Sequence, residues 1–431
     1  MTPKVLVAEK IGASGIDLLR EHFDVDTAFD AADSFELSEP IGDYDGILLR
    51  SATKMTSDLI EKGTNLRVIG RAGVGVDNVD VPAATKRGII VVNAPQSNVV
   101  TAAEHTVAMM LALARNIPQA HSALVDGRWE RSKFSGVELD GKVLGILGFG
   151  RIGQLVATRA KSFGMRVIAF DPFVSAERYR ELGVDKAETS DDVYAEADFL
   201  TLHLPKTPET EGWLDAEALA KCKDGVRILN VARGSLLVDE DLEAALDSGK
   251  VAGAALDVFR TEPITEHPLF GRPNVIVTPH LGASTTEAQD RAGVQTAEQV
   301  VAALTGGSVT TAVNIPAVSA EDRELLGPFL PLCEGLGKLA VSLCGSFDRL
   351  EIEYLGRIAE RDARLLTIAV LNGVLKGHTE EDVNYVNAPS LASERGIDIA
   401  ETKEPRARDF ADLVRVTAVC KGDRTRVVGT L

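Results

Sequence analysis

Three stretches of the 431-residue chain carry side chains suited to moving protons and charge at a carbon beside a carboxylate. They are NVARGSLLVDEDL (230–242), LDVFRTEPI (256–264) and NVIVTPHLGAST (274–285), and they supply Arg233, Glu262 and His280. A guanidinium presents a planar fork that matches a carboxylate. An imidazole gives and takes a proton near neutral pH. A carboxylate beside that imidazole orients the ring and stabilises its charged form. Together the three suit interconversion of a hydroxyl and a carbonyl next to an acid group. Singly, each has a plainer reading: Arg233 in an ion pair, Glu262 on a solvated loop, His280 packed in a core. Their joint placement just beyond strand-like runs is what argues for chemistry, because open parallel sheets bind ligands at the carboxyl ends of their strands.

A second constellation lies upstream. In KVLGILGFGRIGQLVATRAKSFGMRVIAFD (142–171) a strand-like run leads into Gly148-Phe149-Gly150-Arg151-Ile152-Gly153, a helix-forming run follows, and a second strand-like run ends at Asp171. Each part has a mechanical reason. Gly148 permits a tight turn, Gly150 lets backbone approach a pyrophosphate, and Gly153 lets helix pack closely on strand. The helix start offers N–H groups to the diphosphate. An acid at the position of Asp171 accepts from ribose hydroxyls and repels a 2′-phosphate, so the pattern predicts NAD rather than NADP; the plainer role for Asp171 is a helix cap. Arg151 has two readings, a contact to the pyrophosphate or a surface ion pair.

The elements that must position these groups read as α/β. KVLVAE (4–9), DGILLR (45–50), LRVIG (66–70) and IIVVNAP (89–95) are continuous apolar runs, the signature of parallel strands covered on both faces, with helices between them. TAAEHTVAMMLALAR, ending at Arg115, predicts a buried helix. A second series runs from Lys142 to Pro279, with strands in KVLGILG, MRVIAFD, ADFLTLHLP, VRILNVA, GAALDV and NVIVTP. A long amphipathic helix over 285–304 then returns the chain to the first domain, and 305–319 reads as a linker. Beyond residue 320, helix, strand (LEIEYLG), helix and strand (LVRVTAVC) signals suggest a further module. The expectation is two Rossmann-like or flavodoxin-like parallel-sheet domains and a third, smaller α+β C-terminal domain. Their boundaries are residues 1–97 with 286–315, 98–285, and 320–431; the last stops at VVGTL, directly after an apolar strand-like run, as an incomplete module would.

Composition narrows the partners. A formal net charge of −18 disfavours nucleic acid and anionic membranes, which need clustered Lys and Arg. No apolar stretch reaches the roughly 20 residues a bilayer span requires, and the N-terminus lacks a signal-peptide pattern, so a cytoplasmic location is expected. Cys222, Cys333, Cys344 and Cys420 lack metal-ligand spacing and read as reduced thiols, so no metal is expected. Among the histidines, His203 is the further one within reach of a cofactor. His105 and His121 fall in or near the buried helix, and His22, His267 and His378 read as surface positions.

With GRAGVGVDNVD, GFGRIG, NVARG, LDVF and TPHLGAST, residues 1–315 resemble the D-isomer-specific 2-hydroxyacid dehydrogenase family. The resemblance implies Arg233 as the substrate-carboxylate arginine, His280 as general acid/base and Glu262 as its partner. It also implies that Asp257 faces the nicotinamide and that Leu204, Val231, Ala232, Gly282 and Ala283 line the cofactor cleft. LLRSATKMTSDLI, NAPQSNVVTAAEH and GRWERSKFSG resemble the branch of the family that oxidises D-3-phosphoglycerate at the head of L-serine synthesis. Arg50, Ser51 and Lys54 then suit the phosphate, Arg131 and Lys133 form a second basic cluster, and amides of Gly73, Val74 and Gly75 complete the carboxylate site. The plainer reading of both clusters is solvated loop. Val74 and Leu204 stand where the family often has hydroxyl residues. VNAPSLASERGI (386–397) resembles the intervening, allosteric-substrate-binding domain of long members, and nothing resembles the serine-binding regulatory domain that follows it there. The family also implies a homodimer or homotetramer. Two rivals stay open: a reductase of hydroxypyruvate, glyoxylate or 2-oxoglutarate, and an NAD-sensing interaction protein without turnover.

Overall fold

The computed structural model describes residues 2–30, 40–316, 318–344, 347–379, 382–407, 410–420 and 423–431. The chain forms two compact units, Met1–Ser97 with Gln289–Leu431, and Asn98–Ala288.

In the first unit, β1 (Lys4–Val7), β2 (Asp24–Thr27), β3 (Gly46–Leu49), β4 (Val68–Arg71) and β5 (Ile90–Asn93) make a parallel sheet of order β2-β1-β3-β4-β5. The apolar runs predict four of these strands. β2 (DVDT) escapes that reading because it is an edge strand, partly exposed, and need not be apolar on both faces. The helix Thr286–Thr305 packs back on this sheet, as its pattern predicts: Ala292, Ala297, Val300 and Leu304 share a core with Val5, Val7, Ile16 and Leu19.

The segment read as a linker is partly structural. Ala312 bridges Val92 in antiparallel sense, Val313 N–H donates to the Val91 carbonyl at 2.7 Å, and the Asn314 amide donates to the Ile89 carbonyl at 2.8 Å. The edge of β5 supplies backbone partners that outweigh the Gly and Ser content of the segment. Ala317, also in the expected linker, lies outside the described residues.

The same unit contains a second, mixed sheet made of β13 (Arg349–Gly356), β14 (Asp398–Glu404), β15 (Asp412–Cys420) and β16 (Asp423–Gly429), in order β14-β13-β15-β16. β13 is parallel to β14 and antiparallel to β15, and β15 is antiparallel to β16. The two central strands are the ones legible in sequence; the edges, DIAETKE and DRTRVVG, are too rich in charge. Leu350, Ile352, Val414 and Val416 pack with the helices Phe329–Cys344 and Arg364–Leu375 in a core of their own. The Asn384 amide ties this module to the Gly88 carbonyl at 2.8 Å.

The second unit is a seven-stranded parallel sheet. Its strands are β6 (Val143–Leu147), β7 (Arg166–Phe170), β8 (Asp185–Lys186), β9 (Phe199–Leu202), β10 (Val226–Asn230), β11 (Val251–Leu256) and β12 (Val275–Val277). The order is β12-β11-β10-β9-β6-β7-β8, so the winding reverses between β6 and β9, where such sheets open a crevice for ligands. The helix Val99–Arg115 buries Ala102, Ala103, Thr106, Met109, Met110 and Leu113. Among the described residues no helix is long and apolar enough to cross a membrane.

Candidate active site

Adjacent parallel strands β10, β11 and β12 end in register, Asn230 beside Leu256 and Leu256 beside Val277. The loops that leave them therefore emerge side by side, and they carry Arg233, Asp257 with Glu262, and His280. Asn230 shapes the first loop: its buried amide donates to the Arg233 carbonyl at 2.9 Å and accepts from the Ala232 N–H at 3.1 Å. The Arg233 guanidinium donates to the Ala232 carbonyl at 2.7 Å. Glycine follows at 234 because a Cβ there would collide with the Phe259 carbonyl, so this turn packs directly on the loop that carries Glu262.

His280 Nδ1 and Glu262 Oε2 stand 2.6 Å apart, and the Phe259 N–H donates to the other oxygen, Oε1, at 2.8 Å. Partial burial opposes ionisation of Glu262, yet the bonds from His280 and Phe259 outweigh it and hold the carboxyl below its ordinary value. The imidazole stays accessible, with its side chain 47% exposed. His280 adopts φ +56, the left-handed region that L residues rarely enter. Asp257 secures that turn. Its carbonyl accepts from the His280 N–H at 2.8 Å, its Oδ1 from Leu281 N–H at 2.7 Å, and its Oδ2 from Gly282 N–H at 2.8 Å. Asp257 has no exposed surface; burial opposes its charge, but bonds from His105, Thr278 and Leu281 keep the carboxyl below its usual range.

The glycine-rich turn fits a dinucleotide. A Cβ at Gly148 would lie 2.6 Å from the His203 carbonyl, and one at Gly153 would collide with the Gly148 carbonyl oxygen, whereas one at Gly150 would meet nothing within 4 Å. The open side is thus where a pyrophosphate needs backbone to approach. The helix Arg151–Ser162 starts there without a side-chain cap, leaving its first N–H groups to a ligand. Arg151 is exposed and makes no ion pair among the described residues, and Ile152 is half-buried. Asp171 is not a helix cap, since Ser175 caps the helix that follows. Its Oδ2 accepts from Phe149 N–H and its Oδ1 from Phe173 N–H, both at 2.9 Å, which fixes the carboxylate beside the turn with a lone pair to spare on each oxygen. Leu204 and Ala232 are half-buried, Val231 and Gly282 are buried, and Ala283 lies next in the loop after His280. His203 is half-buried beside Gly148 and contacts Thr201 Oγ1 at 3.1 Å, and burial pushes its imidazole down to about 4.

In the first unit, the loops after β1, β3 and β4 meet in the same manner. Glu9 Oε1 accepts from Arg50 N–H at 3.0 Å and Thr53 N–H at 2.8 Å, and Oε2 from Ala52 N–H at 3.2 Å. The Asn78 amide donates to the Arg50 and Thr53 carbonyls, both at 2.6 Å. Ser51 and Lys54 are exposed, and the Arg50 guanidinium donates to the Lys10 carbonyl at 3.3 Å. Gly73 turns at φ +155 under the Arg71 guanidinium, and the Val74 carbonyl accepts from the Asn93 amide at 2.5 Å; Gly75 is half-buried. Sequence reading passed over Glu9, Asn78 and Asn230 because a polar residue at a strand end is common, and its partners are only visible in space.

His267 needs correction as a surface residue. Its side chain is 8% exposed, it lies 3.3 Å from Asp239, and its ring packs on Phe259 and Phe270 beneath the Glu262 loop. His105 also has partners that periodicity could not reveal, Thr278 at 3.2 Å and Asp257 at 3.3 Å.

Comparison with known proteins agrees with this geometry. Residues 107–282 match the family described as D-isomer specific 2-hydroxyacid dehydrogenase, NAD binding domain, and residues 325–431 the D-3-phosphoglycerate dehydrogenase intervening domain. The chain is 46% identical to the D-3-phosphoglycerate dehydrogenase of Synechocystis sp. over 96% of this chain and 75% of that protein. It is 44% identical to that of Mycobacterium tuberculosis over 100% of this chain and 81% of that protein. Among solved structures, the TT0316 protein from Thermus thermophilus superposes with a TM-score of 0.65 at 33% identity, over 72% of this chain and 99% of the other. Matching over nearly its whole length, and with the NAD-binding domain present, the chain belongs to the D-3-phosphoglycerate dehydrogenases of the D-isomer specific 2-hydroxyacid dehydrogenase family.

Proposed function

We propose that the chain oxidises D-3-phosphoglycerate to 3-phosphohydroxypyruvate with NAD, the entry step of L-serine synthesis, and that Arg233, Glu262 and His280 carry the reaction. The observation that bears most weight is the 2.6 Å contact between His280 Nδ1 and Glu262. With Nδ1–H given to the carboxylate, Nε2 keeps its lone pair for the C2 hydroxyl proton. Glu262 then stabilises the imidazolium. Arg233 grips the C1 carboxylate with its fork; of the amides assigned to that carboxylate, those of Val74 and Gly75 serve, whereas the Gly73 N–H donates to the Arg71 carbonyl at 2.8 Å. Arg50, Ser51 and Lys54 take the phosphate.

NAD, when bound, supplies the acceptor for the hydride that leaves C2. Gly148, Gly150, Arg151, Ile152, Gly153 and Asp171 hold its pyrophosphate and adenosine, and Leu204, Val231, Ala232, Gly282 and Ala283 line the nicotinamide side. Asp257, expected to face the nicotinamide, instead has no exposed surface and backs that wall through the Leu281 and Gly282 N–H groups. We assign residues 98–285 to NAD binding, 1–97 with 286–315 to the substrate, and 320–431 to the intervening module.

The chain is further read as a cytoplasmic homodimer or homotetramer. Supporting association, Ile117, Leu124, Val125 and Trp129, on one helix and the turn after it, are 53%, 56%, 71% and 77% exposed, a cluster monomers usually avoid. Light scattering on the purified chain tests this.

The test of function is NADH formation at alkaline pH from D-3-phosphoglycerate, D-glycerate and D-lactate. D-3-phosphoglycerate is expected to lead in kcat/KM by about a hundredfold or more, the scale of a charge-assisted anion contact. Equal rates with D-glycerate would remove the phosphate role of Arg50 and Lys54, and faster reduction of hydroxypyruvate or 2-oxoglutarate would favour the reductase reading.

A further inference from the structure

We infer that His105 is a positioning residue for the reaction: it braces Asp257 from the helix Val99–Arg115, and through Asp257 it holds His280 in its left-handed turn. This rests on the assignment of His280 above. His105 interrupts a helix whose neighbours Ala102, Ala103, Thr106 and Met109 are buried, and its own side chain is 19% exposed. A polar ring in such a place needs a partner. Its Nε2 lies 3.3 Å from Asp257 Oδ1 and 3.2 Å from Thr278 Oγ1.

Donor counting sets the direction of these contacts. Thr278 has a single hydroxyl hydrogen, and Oγ1 stands 2.5 Å from Asp257 Oδ1, an acceptor-only oxygen, so that hydrogen is committed to Asp257. His105 Nε2 must therefore carry a hydrogen and donate. Asp257 Oδ1 then receives Thr278, His105 and the Leu281 N–H, while Oδ2 receives the Gly282 N–H and the Asp257 carbonyl the His280 N–H. One residue thus holds the amides of 280, 281 and 282, the turn in which His280 takes φ +56. His105 is the side-chain donor in this set that comes from outside the β11 and β12 loops, so it fixes the hub to the rest of the unit.

The inference is tested with His105→Leu, His105→Gln and Thr278→Val in the full chain, measuring kcat, KM for D-3-phosphoglycerate, NADH affinity by fluorescence, and thermal midpoint. His105→Leu removes the donor and is expected to lower kcat about tenfold, short of the roughly hundredfold that ångström-scale misplacement costs, with KM changed less than about twofold. His105→Gln places an amide N–H at similar reach and is expected to restore kcat to within about threefold. Thr278→Val approaches the same hub from the other side, and its effect should combine non-additively with His105→Leu. A His105→Leu enzyme with kcat within twofold of wild type, or a glutamine variant no better than leucine at equal thermal midpoint, would overturn the proposal. His280→Asn separates the layers. If it turns over normally, the site assignment itself falls; if it is inactive while His105→Leu is fully active, only the role of His105 falls.

Discussion

Both units secure a loop at the carboxyl edge of a parallel sheet with a carboxylate that accepts from two or more backbone amides of that loop, but they bury that carboxylate to different depths. Asp257 has no exposed surface and takes all its donors from inside its unit. Glu9 is half-buried, and the loop it gathers leaves Ser51, Ala52 and Lys54 in solvent. The contrast separates two requirements. A group that moves a proton must stay within a fraction of an ångström of its target, so the dry interior, where hydrogen bonds are stronger, holds it. Cations that attract an anion act over a longer range and tolerate a wetter, softer mount.

The comparison can be broken in four places. His280→Asn should lower kcat by about a thousandfold, the scale of a lost general base, while NADH affinity stays within about twofold. Near wild-type turnover would end its assignment. Asp257→Asn should be the next most severe, because an amide NH₂ would face backbone N–H donors in the interior. An unsatisfied buried donor costs about 1–3 kcal/mol, or roughly 5 °C of thermal midpoint for a unit of this size. Since the folded-state pKa of Asp257 is lowered, its contribution is present above its ordinary value of 3.8 and lost as pH falls through the depressed one. The stability gap between wild type and variant should therefore close under strong acid, and a gap that persists there would mean the carboxylate charge is not what holds the turn.

A third test concerns His203, whose imidazole burial pushes from 6.5 to about 4. The folded state keeps it neutral while the unfolded chain protonates, so stability is full above 6.5 and lost as pH falls toward about 4, by of order 2–3 kcal/mol. Urea titrations across that window should show a flatter pH dependence in His203→Gln; parallel curves would contradict the burial. The smallest effect belongs to Glu9→Gln. It should raise KM for D-3-phosphoglycerate about two- to fivefold through a loosened Arg50 loop, roughly one hydrogen bond's net worth, with kcat unchanged. A fall in kcat of about tenfold or more would erase the distinction between the two mounts.

The strands whose residues are apolar on both faces were legible as runs of letters, and so were GFGRIG, NVARG and TPHLGAST. The edge strands β2, β14 and β16 were not, because half of an edge strand meets water and its composition follows solvent rather than sheet. His267 was misread for a related reason: HPLF looks like a polar loop until Phe259 and Phe270 close over the ring.

Local order along the chain is enough to establish residue types and their place relative to strand ends, since both follow from side-chain volume, polarity and backbone freedom. Hence Arg233, Glu262, His280 and the three glycines could be named from sequence. What only the tertiary structure decided is which groups share a hydrogen. His280 meets Glu262 across 18 residues, Asp257 meets His105 across 152, and Glu9 meets Thr53 across 44. Those pairings depend on how β1, β3, β11 and β12 and the helix Val99–Arg115 pack, and packing is a property of the whole core that no short window contains.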